Sequence, residues 1–71
     1  MSLETVNFGN QVRRIRKDLN ISQEKLAGLA GIDRAHMGHI ERGSASPTLK
    51  KIHQIAAALG INVKELFDDV K

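Results

Sequence analysis

Cysteine, tryptophan and tyrosine are all missing from this chain of 71 residues, and proline occurs once. Without cysteine there is no disulfide, no thiol nucleophile and no thiolate metal site. Long apolar runs are missing too. The longest, around Ile55 to Leu59, falls far short of the roughly 18 to 20 residues that cross a bilayer, and no hydrophobic signal segment opens the chain. These absences predict a cytoplasmic protein with no membrane partner. A chain this short buries only about 60 to 65% of its unfolded surface, which predicts a single domain over 1–71. The usual staples of a tiny protein are absent, so packing, with or without self-association, must supply its stability.

Charge is present and unevenly placed. The net charge is +3, but residues 1–54 carry nine Lys or Arg against five acids, whereas residues 55–71 carry two against three. A basic front and a near-neutral tail fit a polyanion on one side and another partner at the C-terminal end.

Hydrophobic periodicity predicts an all-α chain of five short helices. Phe8, Val12, Ile15 and Leu19 recur at spacings of four, three and four, one stripe of a helix from about Thr5 to Asn20. Ser22 offers an N-cap for a second helix with an apolar face of Leu26, Ala27 and Ala30, ending at Gly31. Gly31 suits a left-handed C′ position, and Asp33 can cap a third helix from Arg34 to about Arg42, closed by Gly43. Ser46 as cap and Pro47 as first residue open a fourth helix to Leu59, with Leu49, Ile52, Ala56 and Leu59 as its core stripe and Ile55 at the edge. Asn62 followed by Glu65 resembles a capping box and opens a last helix, about 63–68, carrying Val63, Leu66 and Phe67. No strand pattern or internal repeat is present.

The second and third helices, separated by a glycine turn and crossing at the small Ala27, make a helix-turn-helix over about 23–42. The register of Leu26, Ala27, Ala30, Gly31, Ile32, Met37 and Ile40, with caps at both helix starts, is the specific part of that pattern.

On these residues the chain resembles the Cro and phage-repressor type of DNA-binding domain, the XRE family. The resemblance runs from Val12 to Phe67, through IRKDLNISQEKLAGLAGI, DRAHMGHIERG and SPTLKKIHQIAAALGINVKELF. It implies a compact, lambda-repressor-like five-helix bundle that binds operator DNA, commonly as a dimer. The chain departs from the family's common pattern at Gly38, often a small polar residue, and at Ser44, often basic. Glycine at 38 weakens the third helix by about 0.5 to 1 kcal/mol relative to alanine.

At about 100° per residue, Met37 and Ile40 turn toward the core and Ala35, Gly38, His39 and Arg42 turn away. Arg34 starts the helix at its flank, at the end that meets base edges, and His36 lies on the other flank. Arg34, Ala35, His39 and His36 are therefore the candidate base contacts, with Gly38 admitting close approach of DNA. Arg34 can fork onto guanine O6 and N7, Ala35 can meet a thymine methyl, and a histidine can make one hydrogen bond. Ser22 and Gln23, at the start of the second helix, are expected to hold phosphate through free N–H groups and the Gln23 amide. Arg42, Thr48, Lys50 and Lys51 are further phosphate candidates. Arg13, Arg14 and Lys17 face away from the first helix's stripe and read as solvated charge.

Glu41 would repel DNA unless neutralised. It sits at the edge of one core face and Arg16 at the edge of another, and the resemblance pairs residues at these two positions, predicting an Arg16–Glu41 salt bridge. Ile61, Val63, Leu66, Phe67 and Val70 give the C-terminal part more apolar surface than one short helix needs, and are the candidate dimer interface.

His36 and His39 lie one turn apart, but HExxH spacing and cysteine are absent, so no metal is expected. No serine sits in a nucleophile setting and no carboxylate pair has a pocket, so neither enzyme chemistry nor a cofactor is expected. The reading is a sequence-specific regulator acting as a homodimer on a palindromic operator of double-stranded DNA, with no small-molecule ligand. It suits a self-regulating phage-type repressor or a restriction-modification controller. The alternative is an antitoxin or other interaction module whose main partner is a protein.

Overall fold

The computed structural model describes residues 3–67, and among them it contains five helices and no strand. They are α1 (Leu3–Asp18), α2 (Gln23–Ala30), α3 (Arg34–Arg42), α4 (Leu49–Leu59) and α5 (Val63–Leu66). α1 packs on α3, α2 on α3 and α4, and α5 closes against α4 and α1.

Local chemistry starts these helices. The Ser22 hydroxyl accepts from the Lys25 N–H at 2.9 Å, Asp33 Oδ2 from His36 N–H at 3.3 Å, and Thr48 Oγ1 from Lys51 N–H at 3.2 Å. Each bond satisfies one donor that a helix start leaves free. At α5, Glu65 Oε2 accepts from the Asn62 N–H at 3.1 Å. Gly31 turns the chain between α2 and α3 at φ 69°, where a Cβ would be strained, and the Ile32 N–H returns to Ala27 O at 2.9 Å.

The core is built from all five helices. Val12, Leu26, Met37, Ile40 and Ile55 are fully buried, and Phe8, Ala27, Ala30, Ile32, Ala56, Leu59 and Leu66 are nearly so. α1 and α3 come close because residue 9 is glycine. A Cβ there would land on the Ile40 and Glu41 carbonyl oxygens, so this contact is backbone against backbone and has no room for a methyl group.

Three details differ from the periodicity. α1 stops at Asp18, because Asn20 turns left-handed at φ 59° and the Ile21 N–H bonds back to Arg16 O. Asparagine tolerates that region. Leu19, expected in the α1 stripe, therefore leaves the helix and is 49% exposed. α4 is capped by Thr48, which leaves Ser46 and Pro47 in the preceding loop. Its inward face follows Ile52, Ile55, Ala56 and Leu59: Ile55, expected at the edge, is fully buried, and Leu49, expected in the core, is 68% exposed. Finally, Leu66 is buried against the protein's own core, so it is not available as dimer surface.

Gln11 ties the two ends of the fold together. Its side chain is buried, its amide donates to Glu65 O at 3.0 Å, and its Oε1 accepts from Arg14 Nε and Nη2 at 3.2 and 2.8 Å.

Candidate nucleic-acid interface

The third helix is anchored inward by Met37 and Ile40 and sideways by an ion pair. Arg16 Nε donates to Glu41 Oε2 at 2.7 Å and Nη2 to Oε1 at 2.9 Å, a two-pronged contact with both side chains buried. Arg16 Nη1 also donates to Ile21 O at 2.9 Å, and Gln23 Nε2 donates to Glu41 Oε1 at 3.3 Å. Together these bonds join the end of α1, the loop before α2, the start of α2 and the end of α3. No buried side-chain nitrogen or oxygen among the described residues lacks a partner, so the buried charges are compensated.

With Glu41 occupied in this way, the exposed face of α3 carries no free carboxylate. Arg34, Ala35 and His39 are exposed and His36 is half-buried. Gly38 is not open as the helical wheel suggests. It is buried, because the Arg42 guanidinium and the Gln23 amide lie across it. Long helical side chains lean back over the preceding turn, which brings residue 42 onto residue 38. Arg42 Nη2 is 3.1 Å from His39 Nδ1, and Ser44 Oγ is 3.2 Å from the same nitrogen.

Beside that face lies a concavity of about 370 Å³ lined by Arg13, Arg16, Lys17, Gln23, Glu41 and Arg42. Arg16 and Glu41 neutralise each other, leaving Arg13, Lys17 and Arg42 with no carboxylate paired to them among the described residues. The field there favours an anion. Arg13 and Lys17 read as plain solvated charge from the α1 stripe alone. Only the packing of α1 against α2 and α3 brings them beside Arg42.

The other expected phosphate contacts are distributed differently. Ser22 is exposed and spends its hydroxyl as the α2 cap, and the Gln23 amide nitrogen is occupied by Glu41. The Thr48 hydroxyl likewise caps α4, where Lys50 is exposed and Lys51 half-buried. No hydrogen bond or ion pair among the described residues ties these three to α3.

Around α5, Phe67 is 57% exposed although its ring lies 5.3 Å from that of Phe8, and Ile61 and Val63 are half-buried. Val70 lies outside the described residues. Among the described residues no three His, Cys, Asp or Glu side chains converge as a metal site would require, and no helix is long and apolar enough to cross a membrane.

Comparison with known proteins bears directly on this arrangement. Residues 12–66 match the helix-turn-helix family pattern. The chain is 36% identical to control protein C.MunI of Mycoplasma sp over 67 residues, spanning 93% of this chain and 90% of that one. It is 44% identical to control protein C.BamHI of Bacillus amyloliquefaciens over 62 residues, spanning 86% of this chain and 76% of that one. Among solved structures, the restriction-modification controller protein C.AhdI from Aeromonas hydrophila superposes with a TM-score of 0.91 at 41% identity, over 93% of this chain and all of that one. With a family pattern covering most of the chain and relatives matched nearly end to end, this protein belongs to the helix-turn-helix family of XRE-type DNA-binding transcription regulators.

Proposed function

We propose that the chain is a sequence-specific regulator of the restriction-modification controller type, acting as a homodimer on a palindromic operator. The observation that carries this reading is the outer face of α3: Arg34, Ala35 and His39 are exposed on one short helix whose only carboxylate is locked to Arg16. Inserted in the major groove, Arg34 forks onto a guanine edge, Ala35 meets a thymine methyl and His39 makes one hydrogen bond, with His36 at the margin.

Phosphates on either side of the groove would be held by two sets of groups. The first is Arg13, Lys17 and Arg42 around the concavity, with the free N–H groups of Ser22 and Gln23 at the start of α2. The second is Thr48, through its backbone, with Lys50 and Lys51 at the start of α4. Phe67, Ile61 and Val63 supply the surface that joins two copies, with Val70 a further candidate. A two-fold dimer sets its reading helices about 34 Å apart, one turn of DNA.

Similarity to control proteins supports the controller role, and occupancy would then follow protein concentration through the dimer equilibrium. Selection of bound duplexes from a random pool tests the whole reading. A dyad-symmetric motif is expected; recovery of no preferred sequence, or of a single unrepeated half-site, would overturn it.

A further inference from the structure

The contact between Arg42 and His39 has a chemical consequence for what His39 can read. A guanidinium has only hydrogens to offer. With Arg42 Nη2 at 3.1 Å from His39 Nδ1, that nitrogen must supply the lone pair, and the single proton of the neutral ring is then on Nε2. Which nitrogen of an imidazole carries the proton is set by the bond the other one makes.

A competing arrangement is built into the same site. Ser44 Oγ donates to His39 O at 3.2 Å, which leaves its own lone pairs free, and it too lies 3.2 Å from Nδ1. Without Arg42, Nδ1–H could donate to Ser44 Oγ and the outer nitrogen would become an acceptor. Two tautomers thus each have a partner at Nδ1, Arg42 for the form with its proton on Nε2 and Ser44 for the form with its proton on Nδ1.

Arg42 lies directly across residue 38, which is glycine. A Cβ at 38 would stand 3.2 Å from Arg42 Nη1 and 3.4 Å from Gln23 Oε1, close enough that the guanidinium must give by a few tenths of an ångström and its 3.1 Å contact with His39 is disturbed. His39 itself is exposed, and its side-chain contacts among the described residues all fall on Nδ1, leaving Nε2 without a partner among them.

We propose that Arg42, seated against Gly38, is a positioning residue that fixes His39 as the Nε2–H tautomer, so that His39 meets DNA as a hydrogen-bond donor only. The role at the base edge rests on the DNA-reading function proposed above. A donor suits purine N7, guanine O6 or thymine O4 and is rejected by the cytosine amino group. Residue 38 thereby acts on specificity without touching the duplex.

The test has two arms. In the free protein, at a pH chosen so that the spectrum itself shows a neutral imidazole, ¹⁵N shifts report the tautomer directly. The parent is expected to show His39 as Nε2–H, and both Arg42→Ala and Gly38→Ala to move it toward Nδ1–H, with unchanged helical circular dichroism. A parent in the Nδ1–H form, or variants that leave the shifts unmoved, would overturn the inference.

The second arm uses the duplex recovered by selection with the parent. His39→Ala is expected to weaken binding about tenfold in the parent but no more than about threefold on the Gly38→Ala background, since contacting residues couple. Equal losses in the two backgrounds overturn the role in DNA reading. A parent that binds no duplex overturns the regulator reading and this base-edge role together, while the tautomer measurement still judges the positioning of His39 on its own.

Discussion

Arg16 and Glu41, 25 residues apart in the chain, meet at 2.7 Å in a buried, two-pronged ion pair that fastens α3 to α1. Breaking the pair from one side leaves the other charge buried without compensation. Glu41→Gln is expected to destabilise the fold by up to about 3 to 5 kcal/mol, read as a lower urea midpoint with an unchanged slope. A midpoint equal to the parent's would show that the pair does not hold the helices together.

Glycine has opposite meanings at two helical positions. At Gly9 a methyl group would collide with the α3 backbone, whereas at Gly28 nothing lies within 4 Å of the added carbon. Gly9→Ala should therefore lower the melting temperature sharply, because the obstacles are carbonyl oxygens that cannot swing aside. Gly28→Ala should raise stability by up to about 1 kcal/mol through helix propensity. Thermal melts of the two variants check both signs, and a stable Gly9→Ala would contradict the close approach of α1 and α3.

Base reading and phosphate holding should separate in binding assays. Arg34→Ala is expected to cost about 1 to 3 kcal/mol on the preferred duplex and to relax preference at one position per half-site. Arg13→Ala and Lys17→Ala should weaken binding to all sequences alike, each reducing the slope of log affinity against log salt by about one. Titrations of preferred and scrambled duplexes at several salt concentrations distinguish the two patterns. Uniform weakening by Arg34→Ala would remove it as a reader.

The neighbouring residues Leu66 and Phe67 should behave differently. Leu66 is 1% exposed and Phe67 57%, so Leu66→Ala is expected to cost about 2 to 5 kcal/mol of stability. Phe67→Ala should instead weaken self-association with a smaller effect on folding. Sedimentation equilibrium alongside urea melts reads both quantities. A dimer of parental strength in Phe67→Ala would move the interface elsewhere.

Much of this architecture is written in short-range signals. Ser22, Asp33 and the glycines at 31 and 43 mark helix ends because capping and left-handed turns depend on a few adjacent atoms, and Met37 and Ile40 mark the inner face of α3 because a helix repeats every 3.6 residues. Where two signals competed the outcome was not legible. Ser46-Pro47 and Thr48 both offer a start for α4, and Thr48 is the cap; Leu49 and Ile55 compete for the helix's inner face, and packing against the other helices buries Ile55 and leaves Leu49 exposed. Leu19 fits the α1 stripe, yet Asn20 ends the helix before it.

The sequence by itself determined the class of fold, the helix-turn-helix and which helix carries the outward Arg34, Ala35 and His39, since each follows from spacing within a few turns. Tertiary structure alone decided that Gly9 is a contact point, that Gln11 ties α1 to α5, and that Arg13 and Lys17 share a concavity with Arg42. It also decided that Gly38 is a seat rather than an opening. Those relationships join segments far apart in the chain or depend on which way a long side chain folds back, and packing rather than periodicity sets both.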